Sequence, residues 1–600
     1  MAGRGSGDGG RRLGPRRGIP ALAHLAPLLL IAACAAWPGT MPHDDGAWSL
    51  HGHDLGGQRF SPLAAIDTHN VARLVPRWTY HSGVAATFQA TPIVVGGVMV
   101  VSLPHSHVVA LDAATGRELW RYTHRLRDPA RKLCCGPASR GVAVAGGKVY
   151  LGSVDGRLIA LDARDGNLLW DVTVAEYASP TEATSQLEGG DPLSRVGAHG
   201  STGVGIGAAP LVYQGRVFIG INGVGYGLHP DQGLAVVGVS GQYGRPGLMA
   251  AFDAESGRAL WHFDITGPGW EGGFRNATPD GVPMQRDIAA ERAAAAAHAG
   301  AWAWGGGSIY STPVVDAERG LLIFGTGNPS PQMADASRPG DNLHTSSLIA
   351  LDMKSGRLAW SYQQVPHDRW GYDVASAPVL MELDVDGARV PAVAQASKVG
   401  WVYVHDRRDG RLLFKSDAFV PQKNLFAPPQ PGAGALVAPG IAGGANWSPA
   451  AFDAASGLFY VAALHLPTRY VAHEVRRTDG SVLQYASTRD GDESWGTLSA
   501  LDLRHGGRLR WQVKTAEPLV GGVLATAGGL VFSGAGERYF AAFDAAGGQR
   551  LWQYRCEAGV NAPPVTYAID GRQYVAVAAG GNALFGFRQG DSIIAFGLPE

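Results

Sequence analysis

One short pattern returns along most of this 600-residue chain: a small or aliphatic pair, an Asp, a Gly four residues after it and an aromatic residue eight after it. It reads ALDAATGRELW at Asp112 to Trp120, ALDARDGNLLW at Asp162 to Trp170, AFDAESGRALW at Asp253 to Trp261, ALDMKSGRLAW at Asp352 to Trp360 and AFDAAGGQRLW at Asp544 to Trp552. HDRRDGRLLF at Asp406 to Phe414 exchanges Trp for Phe, and ALDLRHGGRLRW at Asp502 to Trp511 carries one extra residue. A unit this short cannot bury its apolar face alone, so the copies must stack on one another. Each copy predicts a strand ending at the Asp, a turn whose Gly supplies positive φ, and a returning strand that docks its Trp against the neighbouring sheet.

Between the copies lie alternating strand, turn and strand patterns such as PIVVGGVMVVSLPHSHVVAL (Pro92 to Leu111) and GVLATAGGLVFSG (Gly522 to Gly534). Asp spacings of 50, 54 and 42 residues suit one four-stranded sheet each, while the gaps of 91 (Asp162 to Asp253) and 99 (Asp253 to Asp352) require a further sheet or a long loop. The 85 glycines, spread along the chain, fit many tight turns. The expected fold is all-β: an eight-bladed β-propeller with tryptophan-docking repeats, forming one domain over residues 48–600. An Ala-rich stretch, Met284 to Ala299, predicts a helix inserted on that scaffold.

Residues 1–36 read as a secretory signal: Arg4, Arg11, Arg12, Arg16 and Arg17 precede an uncharged apolar run from Ala21 to Trp37. Ile31-Ala32-Ala33-Cys34 fits a bacterial lipobox, which would place a lipid anchor on Cys34; ordinary Ala-x-Ala cleavage nearby is the alternative. The mature chain is expected in the periplasm or cell envelope. Losing the five arginines and Asp8 takes the formal charge from -1 to -5, and no basic field remains to attract nucleic acid. Of the remaining cysteines, Cys134 and Cys135 are adjacent and Cys556 stands alone. Adjacent Cα atoms lie about 3.8 Å apart, so a Cys134–Cys135 bond is a strained eight-membered ring. In an oxidising compartment such thiols tend to oxidise; two reduced, buried cysteines are the other outcome. No C-x-x-C-H motif for covalent haem is present.

The repeat, the vicinal cysteines and three further stretches together resemble the pyrroloquinoline quinone (PQQ)-dependent alcohol dehydrogenases. The stretches are WSLHGHDLGGQRFSPLAAIDTHNVARLVPRW (Trp48 to Trp78), GTGNPSP with RPGDNLHTSSLIALD (Gly325 to Asp352), and QQVPHDRWGYD (Gln363 to Asp373). The resemblance implies an eight-bladed propeller holding PQQ over a metal ion, calcium or a lanthanide. Carried over residue by residue, it implies a Cys134–Cys135 disulfide over one face of the quinone and Arg140 against its carboxylates. Gln89 stands where the family usually has a Glu, Tyr310 where it has a stacking Trp, Lys398 at the quinone carbonyls and Asn446 at a cofactor-contacting position. Asn328 and Asp373 are the implied metal ligands.

Two positions depart from that pattern. Gly225 stands at the usual metal-binding Glu, and Gly371 at the Asp that usually serves as base directly after Trp370. Oxidising an alcohol needs a base, an acceptor and a group that stabilises charge growing on the acceptor. Asp373 is the nearest carboxylate to take the base role, and a structural cap is its alternative; His367 reads as structural rather than as a second base. The implied activity is oxidation of a small-molecule alcohol or sugar, with electrons passed to a cytochrome c-type acceptor. The alternative is a catalytically degenerate propeller serving as a scaffold or binding protein in the cell envelope.

Overall fold

A computed structural model describes residues 46–127, 136–175, 204–224, 227–228, 235–236, 240, 244–385, 387–476, 480 and 482–600. The strands Val108–Asp112, Arg157–Asp162, Leu248–Asp253, Ser347–Asp352, Val402–Asp406, Trp495–Asp502 and Tyr539–Asp544 all end on the cassette Asp. The carboxylate turns the corner: Asp112 Oδ1 accepts from the Thr115 N–H and hydroxyl, and Asp352 Oδ1 accepts from the same two groups of Ser355. Four residues on, the glycine is left-handed, at φ 73° in Gly116 and 71° in Gly356.

That glycine has a second reason to lack a side chain. A Cβ at Gly116 would lie 2.6 Å from the Trp78 ring, and one at Gly166, Gly356, Gly410 or Gly548 would lie 2.5 to 2.6 Å from Trp120, Trp261, Trp360 or Trp511. The indole of one sheet thus lies over the glycine of the next cassette. Its N–H donates to the carbonyl just after that cassette's Asp: Trp120 to Ala163, Trp360 to Arg407 and Trp511 to Ala545, each at 3.0 Å. Trp120, Trp360 and Trp552 are buried, whereas Trp170, Trp261 and Trp511 keep a partly exposed edge.

Among the described residues there are eight sheets of this kind: seven carry four antiparallel strands in sequence order, the first being Ile93–Val95, Val98–Ser102, Val108–Asp112 and Glu118–Tyr122, and one of the seven adds Phe60–Ser61 as a fifth, parallel strand. The last sheet is composite. Val565–Ile569, Arg572–Ala579 and Ser592–Gly597 are joined by Val75–His81 from the other end of the sequence. That borrowed strand carries Trp78 onto Gly116 of the first cassette, so the run of sheets closes on itself. Among the described residues, the gaps of 91 and 99 hold no further four-stranded sheet, only loops, links and a two-stranded pairing of Gly227–Leu228 with Ala235–Val236: one sheet runs Leu211–Tyr213, Arg216–Gly220, Leu248–Asp253 and Ala259–Asp264, and the next begins at Val314–Asp316. The expected helix is shorter than its pattern. It spans Ile288–Ala294, capped by Asp287 accepting from Ala290 N–H, and gives way to 3₁₀ turns at Ala295–His298.

The segment from Gly46 to Ser61 runs along the innermost strands. Trp48 pairs with Val94, Leu55 O accepts from Val315, Gly56 O from Leu380, Gln58 O from Phe452 and Arg59 O from Ala525. Arg59, fully buried, donates to the carbonyls of Val523 (2.8 Å), His51 (2.7 Å) and Pro564 (2.6 Å). One guanidinium therefore ties three separate stretches of chain together.

Candidate functional site

In a four-stranded meander the turn between the second and third strands and the link from the fourth strand to the next sheet fall at the same end. Every described candidate site residue sits in one of those two places. Asn328 and Lys398 lie between second and third strands; Gln89, Arg140, Tyr310, Asp373 and Asn446 lie in links. Gln89, Tyr310 and Asn446 each stand three residues before a proline (Pro92, Pro313 and Pro449) at the entry to an innermost strand. Cys134, Cys135 and Gly225 lie outside the described residues.

At the centre is a buried ion pair. Lys398 Nζ donates to Asp373 Oδ2 at 2.6 Å, to Gly371 O at 2.8 Å and to Ile441 O at 3.2 Å. The other oxygen, Asp373 Oδ1, accepts from Asn328 N–H at 2.6 Å. Gly327 next to it has no room for a side chain, since a Cβ would meet Asp373 Oδ1 at 2.8 Å and Tyr310 Cε2 at 3.0 Å. Tyr310, Asn328, Asp373 and Lys398 are therefore one cluster. Arg140 joins it by donating to Tyr310 O at 2.9 Å, and its guanidinium lies 4.8 Å from the Trp447 ring centroid. Trp447 follows Asn446, whose Oδ1 accepts from Trp447 N–H while its Nδ2 donates to Ala442 O. Below Arg140, burial and the two guanidiniums of Arg59 and Arg140 push His51 down to about 3. Gln89 is buried, and its Oε1 has no hydrogen-bond partner among the described residues.

The HDRWGYD stretch folds as a tight turn around Asp368. Its Oδ1 accepts from the N–H groups of Trp370 (2.8 Å) and Gly371 (3.0 Å), and Oδ2 accepts from the Ser346 hydroxyl (2.9 Å). Burial, then repulsion from Asp373, raises Asp368 to about 6. His367 points away into a buried network, with Nδ1 at 2.6 Å from Gly340 O and Nε2 at 2.8 Å from Asp335 Oδ2, in keeping with a structural role. The turn is buttressed by an added three-stranded sheet of Ala435–Val437, Thr468–Arg476 and Val482–Asp490. Tyr470 OH of that sheet donates to Trp370 O at 2.8 Å, and Tyr372 OH donates to Pro439 O at 2.6 Å.

The donor set is that of a site for a flat, polar ligand. Two cations (Arg140, and Lys398 paired with Asp373), two aromatic rings (Tyr310 and Trp447) and three amides (Gln89, Asn328 and Asn446) share one end of the sheets, and the buried Gln89 Oε1 can accept a hydrogen bond. Protein donors for a metal ion are fewer. Asn328 and Asp373 are neighbours, but among the described residues no group of three His, Cys, Asp or Glu side chains could hold one. Sequence reasoning missed Trp447, although it follows directly on Asn446, and Asn561. The latter, three residues before Pro564, repeats the placement of Gln89 and Tyr310, and neither of its buried amide atoms is hydrogen-bonded among the described residues.

Comparison with known proteins agrees with this reading of the fold. The model of the β-propeller domain of PQQ-type glucose, ethanol and alcohol dehydrogenases matches residues 48–425 and 491–575. The chain belongs to that family. The unmatched interval holds the added three-stranded sheet. A quinohemoprotein alcohol dehydrogenase, ADH IIB, from Pseudomonas putida is 33% identical over 584 residues, covering 92% of this chain and 76% of that protein. The quinoprotein alcohol dehydrogenase PedH, also from Pseudomonas putida, is 31% identical, covering 92% of this chain and 91% of its own. Among solved structures, a europium-containing methanol dehydrogenase superposes with a TM-score of 0.74 at 25% identity, over 93% of this chain and 99% of the other. The resemblance seen in the sequence thus holds at the level of the PQQ dehydrogenase family and its β-propeller fold.

Proposed function

We propose that this family member is an exported quinoprotein dehydrogenase, its eight sheets the blades of one propeller, that oxidises an alcohol or sugar with bound PQQ. The observation that carries this is the cluster of Arg140, Tyr310, Asn328, Asp373 and Lys398, drawn from separate sheets to one end of the fold. PQQ supplies the hydride acceptor; the chain's own groups do the rest. Arg140 and Asn446 hold the cofactor's polar edge, Tyr310 and Trp447 supply ring faces, and Gln89 Oε1 gains a partner. Lys398 fixes Asp373 Oδ2 and Asn328 N–H fixes Oδ1, so the carboxylate is oriented to take the substrate hydroxyl proton. A calcium or lanthanide ion would add Asn328 and Asp373 as protein oxygen ligands.

Electrons then leave to a cytochrome c-type acceptor. A relative from Gluconobacter oxydans is named as the dehydrogenase subunit of a quinone-linked alcohol dehydrogenase, which supports a partner in trans. Export rests on residues 1–36 and lipidation on Cys34; among the described residues no helix is long and apolar enough to cross a membrane. The test is dye-linked turnover of protein reconstituted with PQQ, with and without calcium or a lanthanide, across alcohols, aldehydes and sugars. Turnover lost in Asp373→Ala with PQQ binding retained supports the proposal. PQQ binding without turnover on any substrate would favour the scaffold.

A further inference from the structure

Gly371 is left-handed at φ 80°, and a Cβ there would lie 2.1 Å from Gln332 Nε2, 3.0 Å from Gln332 Cδ and 3.3 Å from Ile441 Cγ1. The Gln332 amide therefore fills the space that a side chain at 371 would occupy. Gly371 and Ile441, the residues flanking that space, are the two whose carbonyls receive Lys398 Nζ alongside Asp373. A neutral amide thus lies against Gly371, whose carbonyl accepts from the lysine of the buried ion pair. The Gln332 backbone is clamped there. The fully buried Arg338 donates to Pro331 O (2.5 Å), Gln332 O (2.7 Å), Asn342 Oδ1 (2.5 Å) and Asp368 O (2.6 Å), binding the Gln332 loop to the HDRWGYD turn. Ile441 is held from the other side, its N–H donating to Thr468 Oγ1 of the added sheet.

We propose that Gln332 is a substrate-positioning residue: its Nε2 donates to the substrate's hydroxyl oxygen, leaving the hydroxyl hydrogen aimed at Asp373. An amide cannot serve as a base, so it and Asp373 divide two tasks that one carboxylate at 371 would combine. This inference rests on the dehydrogenase reading above and adds the residue that orients the substrate.

The test uses the full chain in two arms. In the cofactor-free protein, Gly371→Asp is expected to lower the melting temperature by placing its side chain against Gln332. Combining it with Gln332→Ala should restore a substantial part of the loss, because the two side chains compete for one space. Strictly additive effects would show that they do not. In the PQQ-loaded protein, Gln332→Met keeps the side chain's length and removes its hydrogen bonding. We expect kcat/KM to fall about tenfold, the worth of one substrate hydrogen bond, with PQQ affinity and melting temperature unchanged. Wild-type kcat/KM in Gln332→Met would show that the amide only packs and would overturn the inference while leaving the dehydrogenase reading intact. A wild-type protein that binds no PQQ and oxidises nothing overturns both.

Discussion

Asp368→Asn isolates the cost of a carboxylate buried beside another carboxylate. Asp368 is inaccessible to solvent, its carboxylate makes no ion pair among the described residues, and it is raised from 3.8 to about 6 by burial and then by Asp373. The values differ by about two pH units, worth about 3 kcal/mol at about 1.4 kcal/mol each. The sign follows from the raised value. Below about pH 4 the group is protonated in folded and unfolded chains alike, and its full stability is present. As pH rises from about 4 to 6 the unfolded chain releases its proton first, so the folded state loses that stability. Asn keeps the geometry, since its Oδ1 can accept from Trp370 and Gly371 N–H and its Nδ2 can donate to the Ser346 oxygen. Urea unfolding of wild type and variant, both free of cofactor and metal, should give similar stabilities at pH 4 and an advantage for Asp368→Asn of up to about 3 kcal/mol at pH 7. A difference that stays constant across this range, or a variant less stable at pH 7, refutes the reasoning.

Arg59→Met should cost several kcal/mol in denaturant unfolding, because the carbonyls of His51, Val523 and Pro564 lose their shared donor, at about 1 to 3 kcal/mol each; a loss below about 1 kcal/mol would mean water takes over. Gly356→Ala, which presses a methyl against Trp261 at φ 71°, should lower stability by about 1 to 3 kcal/mol, and an unchanged melting temperature would count against the indole-over-glycine contact. Lys398→Met leaves Asp373 buried without its cation and should destabilise by about 3 to 5 kcal/mol, most of it recovered in the double variant with Asp373→Asn; no recovery would mean the two residues are not energetically paired.

The fold was legible because the cassette states its own geometry: Asp turns the corner, Gly permits the turn and Trp reaches the next sheet. Two things were less visible. The closing sheet has no intact cassette because its outer strand, with Trp78, comes from the opposite end of the sequence. The gaps of 91 and 99 residues held no further four-stranded sheet among the described residues, since a link between strands has no length rule of its own. At the site, Asn328, Asp373 and Lys398 were named in the sequence, but their mutual contacts depend on how sheets far apart in the chain face each other. Gly371 reads in the sequence only as a missing carboxylate; that Gln332 fills its place depends on the Arg338 clamp, which no spacing announces.

The central claim is that the cluster around Arg140 and Lys398 is a PQQ site. It is tested most directly by an equilibrium absorbance titration of the purified, cofactor-free protein with PQQ. Saturable binding of one PQQ per chain, weakened at least tenfold in Arg140→Met, is the predicted result, that factor being the order expected for one lost charge-assisted contact. No saturable binding, or binding indifferent to Arg140, would contradict it.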